Sequence, residues 1–370
     1  MSSIQELIEI SRHYGGDPSF VIAGGGNTSF KNEERIWIKA SGIPLAGIEE
    51  SGFVCLSRKG LKEIEENTYD EDSVIREEQV KKDLQKAILE PRNLRPSVET
   101  SLHNLIDFSY IVHTHPTLIN AVMCARDAKS EVEKRFGSDA LYVEYTDPGY
   151  ILFKKLQEEI LNYRQRYASE PRIIFLQNHG VFVGANSISE VKEIYDSLVS
   201  RIEEGKDLEL PDARNEPYQS KMRTMVSNYF ASRNLHSLAF KSPLSDHFAS
   251  ARESYQKISK PFTPDIIVYC KSNYLFIEEG VEGKELEEKL AEFEKAHAYY
   301  PKVIVEEQGG LIITEENSKS IHTVLEVFSD MMKISFLSEQ FGGPHFMSAE
   351  QISFIDNWEV ENYRRSVAKS

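Results

Sequence analysis

The chain has 370 residues, of which 40% are hydrophobic and 28% charged, a globular balance that excludes a disordered or fibrous chain. Its 59 acidic residues outnumber its 43 Lys and Arg residues, which gives a formal net charge of −16. Phosphate contacts need clustered Lys and Arg, so we expect no nucleic-acid partner and no membrane partner. The three cysteines are odd in number and far apart, which excludes a disulfide framework and suits a cytoplasmic protein: Cys55, Cys124 and Cys270.

Hydrophobic periodicity and turn residues predict helices and strands that alternate irregularly along the chain. The first helix is predicted over residues 4–14 and ends at Gly15 and Gly16. The further predicted elements are extended runs at 20–23 and 35–39, helices at 73–90 and 97–106, strands at 110–115 and 172–177, and a helix at 189–202. This alternation favours an α/β fold with stacked layers, and the length favours two domains.

The polar segment 203–220 carries two prolines and lacks periodicity, so it is predicted to link the domains 1–210 and 211–370. Residues 171–183 align without gaps to residues 301–313, and the helices that follow match at the same offset. We expect the second domain to be a smaller α/β domain and a degenerate copy of the first. Gly309 stands at the position of His179, so this copy is expected to hold no metal. Chance similarity between two strand–turn–helix units is the alternative.

The strongest local signal is the pair His113 and His115 at the end of a β-rich run. Residues i and i+2 of a strand project from one face, so two imidazoles there can bind one divalent ion at about 2.0–2.1 Å each. Such a pair also occurs for structural reasons alone. His179 is the third candidate ligand, and Gly180 after it permits a tight turn that aims the ring inward. Three histidines leave one coordination position open, as a catalytic zinc requires.

Glu99 lies at the predicted start of a helix, and two functions fit this position. Its carboxylate can move protons at a metal-bound substrate, or it can cap the helix N-terminus. From position alone, capping is favoured. His103 follows at i+4, where a helix-stabilising pair with Glu99 is favoured over a metal-binding pair.

Two loops of small residues, 24–29 (GGGNTS) and 39–42 (KASG), each lie beside a predicted strand. Backbone N–H groups in such loops can cradle a phosphate, and Ser, Thr and Asn add further donors. Neither loop matches the GxGxxG or GxxxxGK[ST] phosphate-binding patterns, and each is also compatible with a plain turn.

Taken in order, GGGNTS, KASG, PSVET, HTHP and NHG resemble the motifs of the class II aldolase/adducin family. This family includes zinc-dependent fuculose- and rhamnulose-phosphate aldolases and ribulose-phosphate 4-epimerase. The likeness is greatest to the aldolase half of bifunctional rhamnulose-1-phosphate aldolase/lactaldehyde dehydrogenase proteins, in which RPSVETSLH and GGLIITEEN have counterparts. The fold that the resemblance implies is a layered α/β/α unit with a mainly antiparallel central sheet, assembled as a homo-oligomer, usually a tetramer.

Residue by residue, the resemblance implies that Zn²⁺ or another divalent metal is bound by His113, His115 and His179, with Glu99 as the acid/base residue. The matching positions that bind the substrate phosphate in the family are Gly26, Asn27, Ser41, Gly42 and Ser97. One position departs from the pattern, because Val98 stands where the phosphate aldolases typically have a second serine. A hydroxyl donor to the phosphate is therefore missing.

These features favour an aldolase that cleaves a ketose 1-phosphate, such as rhamnulose 1-phosphate, into dihydroxyacetone phosphate and a small aldehyde. A sugar-phosphate 4-epimerase or a decarboxylase is the first alternative, since epimerisation by retro-aldol cleavage uses the same ligands. A non-catalytic scaffold of the adducin kind is the second. The three histidines and the glutamate count against a scaffold, because such members usually lose the metal residues.

Overall fold

The computed structural model describes residues 2–357, which form two compact units. Within these residues, the first unit comprises 2–123 and 128–205, and the second comprises 124–127 and 206–357. None of the helices within the described residues combines the length and the apolar composition that a membrane span requires.

The first unit is built around an eight-stranded sheet. Its helices are α1 (Ser3–Gly15), α2 (Arg58–Glu66), α3 (Ser73–Ala87), α4 (Thr100–Leu105), α5 (Thr117–Met123), α6 (Ala128–Phe136), α7 (Tyr150–Tyr167) and α8 (Ile188–Glu203). Its strands are β1 (Asn27–Lys31), β2 (Arg35–Lys39), β3 (Phe53–Ser57), β4 (Ile88–Glu90), β5 (Tyr110–Thr114), β6 (Leu141–Val143), β7 (Ile173–Leu176) and β8 (Gly180–Ala185). The strand order is β4-β3-β2-β1-β5-β8-β7-β6, and each neighbouring pair is antiparallel except β6 and β7.

Side chains alternate between the two faces of the sheet along each strand, and helices pack on both faces. On one face, Ile111 and Phe182 pack with Leu156 of α7. On the other face, the hydroxyl of Tyr195 in α8 lies 2.7 Å from the hydroxyl of Thr114 in β5. The predicted α/β class with layered helices and a mainly antiparallel central sheet is therefore confirmed.

The predicted extended run at 20–23 is wrong. The backbone N–H groups of Phe20 and Val21 both donate to the Asp17 carbonyl oxygen, at 2.9 and 3.0 Å. The Asp17 side chain also accepts from the Ser19 backbone N–H at 2.8 Å, a local bond that favours a turn over a strand. The first strand instead begins at Asn27, after the glycine loop.

Two predicted helices are each too long at one end, whereas the predicted strands at 35–39, 110–115 and 172–177 are present as β2, β5 and β7. The helix predicted to reach residue 90 ends at Ala87, because residues 88–90 pair with β3 as strand β4. The helix predicted from residue 97 begins at Thr100, because the Ser97 backbone N–H donates to the Lys39 carbonyl oxygen at 3.2 Å. Both differences arise from pairing with a strand that is distant in sequence.

The second unit contains a smaller, five-stranded sheet. Its helices are α9 (Lys221–Phe230), α10 (Pro243–Ala249), α11 (Arg252–Gln256), α12 (Pro264–Cys270), α13 (Gly283–His297), α14 (Ser318–Ser338) and α15 (Ala349–Asn357). Its strands are β9 (Glu216–Pro217), β10 (His236–Lys241), β11 (Leu275–Ile277), β12 (Val303–Glu306) and β13 (Gly310–Glu315), in the order β11-β12-β13-β10-β9.

This second sheet repeats the arrangement of half of the first. The orders β5-β8-β7-β6 and β10-β13-β12-β11 correspond, and in each the last pair is parallel. The registers also agree, because His113 pairs with Phe182 in the first unit and Ala239 pairs with Ile312 in the second. The strand and the following helix that the alignment predicts for the second domain are present as β12 and α14.

The turns between the corresponding strands share the same backbone conformation. Asn178 and Gln308 both adopt left-handed φ angles, of 54° and 57°. The Asn178 N–H donates to the carbonyl oxygen of Met123, the last residue of α5, and the Gln308 N–H donates to that of Ala249, the last residue of α10. The likeness therefore extends from the strands to the turns and to the helix that each turn contacts.

Candidate metal centre

His113 and His115 lie at the end of β5, near the middle of the first sheet. His113 pairs with Asn27 of β1 on one side and with Phe182 of β8 on the other. The two histidine rings meet as the i and i+2 spacing predicts, with their Nε2 atoms 3.0 Å apart. The Phe182 ring stacks on His113 with centroids 4.0 Å apart, which holds the buried imidazole in one orientation.

His179 lies in the turn between β7 and β8. The prediction that Gly180 supplies the turn conformation is wrong, because Asn178 carries the left-handed φ. Gly180 is required for a different reason: a Cβ there would lie 2.5 Å from the Thr114 carbonyl oxygen and 2.7 Å from the His115 ring. This close approach brings the turn, and with it His179, against the end of β5.

The three histidines form one cluster, in which one ring nitrogen of each lies within 4.8 Å of the others. The Nδ1–H of His113 donates to the Val181 carbonyl oxygen at 3.0 Å, so the Nε2 lone pair faces the cluster. Burial lowers the pKa of His113 well below its usual value, although nearby Glu99 opposes the shift. A neutral imidazole is the form that binds a metal.

Glu99 precedes α4 at the position of a helix cap, but its side chain makes no cap hydrogen bond. Its Oε2 accepts a hydrogen bond from Asn27 Nδ2 at 2.5 Å. Its Oε1 lies 3.4 Å from His113 Nε2 and 3.5 Å from His179 Nε2. The side chain therefore does not cap α4 through a hydrogen bond, and its carboxylate faces the histidines.

The charge of this carboxylate makes the cluster suited to a divalent cation. Burial raises the pKa of the Glu99 carboxyl, but His113, His179 and the Asn27 hydrogen bond outweigh burial and lower the pKa to about 2. Oε1 is buried and accepts no hydrogen bond from the described residues. A buried anionic oxygen without a hydrogen bond is costly, and a cation held by three imidazole nitrogens would offset that cost.

A buried polar network between β1 and α4, which the sequence analysis missed, supports Glu99. Asn27 and Ser29 are alternate residues on one face of β1. Asn27 Oδ1 bonds His103 Nε2, and Ser29 Oγ bonds His103 Nδ1 at 2.7 Å. The side chains of Glu99 and His103 are thus bridged by Asn27, and the predicted direct pair between them is wrong. In the sequence NTSFK, the polar residues Asn27, Ser29 and Lys31 alternate along the strand, and this pattern could have indicated a polar face of β1.

Lys31 is the third polar residue on this face of β1. Its Nζ donates to the carbonyl oxygens of His103 and Ile106, at 2.7 and 2.5 Å. These carbonyls belong to the last turn of α4, where helical partners are missing. Burial, with a smaller contribution from Arg58, lowers the pKa of Lys31 from 10.5 to about 7.

We expect the contribution of Lys31 to the free energy of unfolding to rise as pH increases from about 7 toward 10.5. In that window the unfolded chain keeps a proton that the folded chain has released, so raising the pH favours folding, by up to about 1.4 kcal/mol per pH unit. Urea unfolding of wild type and Lys31→Met at several pH values measures the effect. The slope of unfolding free energy against pH is compared between the two proteins, because tyrosines and cysteines contribute equally to both. Equal slopes would contradict the prediction.

The predicted phosphate-binding residues come from three loops that are hydrogen-bonded to one another. The Ser41 backbone N–H donates to the Arg95 carbonyl oxygen at 2.8 Å, and the Ser97 backbone N–H donates to that of Lys39 at 3.2 Å. The Lys39 ammonium lies 3.5 Å from the carbonyl oxygen of Gly24 in the glycine loop. The loops 24–26, 39–42 and 95–97 therefore lie side by side.

The remaining members of the predicted set are Gly26, Gly42 and Asn27. Gly26 and Gly42 adopt left-handed φ angles of 65° and 85°, and a Cβ on Gly26 would lie 2.8 Å from the His113 carbonyl oxygen. The Asn27 side chain bonds Glu99 and His103. The glycine loop therefore joins the predicted phosphate site to the histidine cluster through adjacent residues.

A layered α/β unit with three histidines and a carboxylate at the end of a central strand is suited to metal chemistry. The chain belongs to the family described as the class II aldolase and adducin N-terminal domain, which matches residues 5–203.

Known relatives each match a little more than half of the chain. The uncharacterized oxidoreductase YuxG of Bacillus subtilis is 28% identical over 212 residues, which are 55% of this chain and 29% of that protein. The chain thus spans less than a third of the length of this relative. The N-terminal class II aldolase domain of a conserved protein from Thermoplasma acidophilum is 25% identical, over 55% of this chain and 92% of its own, with a TM-score of 0.46. An L-fuculose 1-phosphate aldolase is 22% identical, over 57% and 92%, with a TM-score of 0.39.

Proposed function

We propose that this protein is a metal-dependent aldolase that cleaves a ketose 1-phosphate, such as rhamnulose 1-phosphate, into dihydroxyacetone phosphate and a small aldehyde. The observation that carries the proposal is the group of three histidines faced by a buried Glu99 oxygen that accepts no hydrogen bond from the described residues. Family membership supports the same reaction class.

His113, His115 and His179 would hold the divalent ion, Zn²⁺ or another metal. When bound there, the ion supplies Lewis-acid polarisation of a carbonyl oxygen. Glu99 is ionised and faces two of the three histidines, so its Oε1 can accept a proton from a substrate that reaches the cluster and can return it. Burial of the carboxylate excludes water from this proton transfer.

The substrate phosphate would bind where the three small-residue loops meet. Ser41 and Gly42 end the loop 39–42, and Ser97 ends the loop 95–97. Gly26 ends the loop 24–26, next to Asn27, which pairs with His113. Val98 contributes no hydroxyl, and the backbone N–H groups of Ser41 and Ser97 already donate to carbonyl oxygens. The hydroxyls of Ser41 and Ser97 would therefore carry a larger share of the phosphate contacts. A neighbouring cation comes from Lys39, which is buried beside the glycine loop.

The test combines metal analysis with product analysis on purified protein. We expect about one divalent ion per chain and release of dihydroxyacetone phosphate together with an aldehyde from one of a panel of ketose 1-phosphates. The unphosphorylated ketoses serve as matched controls for the phosphate site. A mass-neutral conversion would identify an epimerase, and metal-loaded protein that converts no sugar phosphate would contradict the proposal.

The second unit, 211–370, is proposed to be a degenerate, metal-free copy of the first. Ala239 stands at the position of His113, Lys241 at that of His115, and Gly309 at that of His179. A Cβ at position 309 would lie 2.4 Å from the Glu306 side chain, which occupies that space. A ratio of two ions per chain would contradict this proposal.

The assembly is proposed to be a homo-oligomer, a tetramer by family resemblance. Light scattering coupled to size-exclusion chromatography measures the mass of the assembly against the 42.3 kDa of one chain.

A further inference from the structure

His103 is fully buried, and both of its ring nitrogens are engaged. Nε2 bonds Asn27 Oδ1, and Nδ1 lies 2.7 Å from Ser29 Oγ. The edge-to-face contact with Phe182, with centroids 5.4 Å apart, packs the ring on the same phenylalanine that stacks on His113. The backbone N–H of His103 donates to the Glu99 carbonyl oxygen at 3.0 Å, as in a helical turn. Its ring nitrogens instead bond Asn27 and Ser29, so the link from the ring to the Glu99 carboxylate passes through Asn27.

The charge on Glu99 determines where each proton in this network lies. A carboxylate only accepts, so the Asn27 group that faces Glu99 Oε2 is the NH₂ group, at 2.5 Å. Asn27 Oδ1 then faces His103 and must accept from an Nε2–H. Burial lowers the pKa of His103 to about 3, so the ring is neutral and carries a single N–H. Nδ1 is therefore the acceptor for the Ser29 hydroxyl.

The orientation of the Asn27 side-chain amide must be fixed by the groups around it. The terminal torsion of an asparagine is broad and nearly two-fold, so the side chain alone does not choose between its NH₂ and its oxygen. If the amide rotated by about 180° about its terminal torsion, Oδ1 would face the Glu99 carboxylate and the two acceptors would repel each other. A neutral Nε2–H on His103 excludes that orientation, because an NH₂ group facing it would leave two donors opposed.

We propose that His103 is a positioning residue, whose Nε2–H holds the Asn27 amide with its NH₂ toward Glu99 Oε2 and thereby directs Oε1 at the histidine cluster. This inference rests on the proposed function, in which Glu99 moves protons. In this proposal, the network formed by Glu99, Asn27, His103 and Ser29 serves to orient the Glu99 carboxylate.

Two substitutions at the same position separate this role from a packing role. In His103→Gln the amide nitrogen can occupy the place of Nε2 and donate to Asn27. In His103→Asn the shorter amide occupies the place of Nδ1, so it reaches Ser29 and leaves Asn27 without a donor. Both replace the ring by a neutral amide, and melting temperature checks that both fold.

We expect His103→Asn to lower kcat by about 10- to 100-fold, the range typical of residues that orient a metal-site group. KM and metal content should stay near the wild-type values, and His103→Gln should recover most of the turnover. Equal turnover of the two variants would overturn the proposal, since packing alone would then explain His103.

A measurement on the wild-type protein tests the proposal without any substrate. Imidazole ¹⁵N shifts, with the His103 signal assigned by its loss in His103→Gln, report which nitrogen carries the proton. An Nε2–H tautomer supports the proposal, and an Nδ1–H tautomer or an imidazolium overturns it. If no ketose phosphate is cleaved, the proposed function fails, and the tautomer still decides whether the Asn27 amide is oriented as described.

Discussion

His113→Ala is expected to lose most of its bound divalent ion and its aldolase turnover. Two imidazoles remain, and two ligands do not close a site of this kind. The loss should exceed the 10- to 100-fold range that is typical when only a supporting residue is changed. Competition with a chelator of known affinity measures the metal affinity, and elemental analysis measures the metal-to-protein ratio.

His322→Ala is the matched control for this loss, because His322 is an exposed histidine on α14. It should keep the wild-type metal ratio and turnover. His115→Ala and His179→Ala should behave like His113→Ala, since all three nitrogens belong to one cluster. An unchanged metal content in His113→Ala would show that the ion binds elsewhere in the protein.

Glu99→Gln is expected to lower turnover by about 10²- to 10⁴-fold, the usual contribution of a general acid–base group. Glutamine keeps the size and can still accept from Asn27 Nδ2, but it cannot take up a proton. The structure strengthens this expectation, because the Glu99 side chain makes no cap hydrogen bond and faces His113 and His179. Steady-state turnover, melting temperature and metal content are measured on the same preparation.

The pattern across these three measurements distinguishes the roles of Glu99. For a proton-transfer residue, melting temperature changes little, because loss of a favourable helix-dipole interaction costs only about 0.3–1 kcal/mol. For a carboxylate that also binds the metal, metal affinity falls as well, though by less than in His113→Ala. Normal turnover with a lowered melting temperature would return Glu99 to the role of a helix cap.

The meeting of His113 and His115 could be predicted from the sequence because the two residues are i and i+2 of one strand. His179 joins them only through the pairing of β5 with β8, which sets Thr114 opposite Val181. The β-rich runs that became β5 and β7 were recognisable from their own residues. Where the local pattern of residues indicates an element, the sequence alone was sufficient to predict that element.

The surroundings of Glu99 could not be predicted in the same way. They depend on the antiparallel pairing of β1 with β5, which sets Asn27 opposite His113, and on the polar face of β1 that lies against α4. The same limitation explains strand β4, whose residues 88–90 continue a helical pattern but pair with β3. Contacts between distant segments overrode local propensity at these places.

In the second unit, which we propose to be a metal-free copy, the Glu306 side chain fills the place equivalent to that of the His179 side chain, so a metal site would be hard to build there. Restoring three ligands requires Ala239→His, Lys241→His and Gly309→His, and the last demands that Glu306 be shortened or moved as well. Each change alone leaves too few imidazoles to close a site, so selection for metal binding cannot favour the early steps. A laboratory construction of such a site would therefore need all four changes at once.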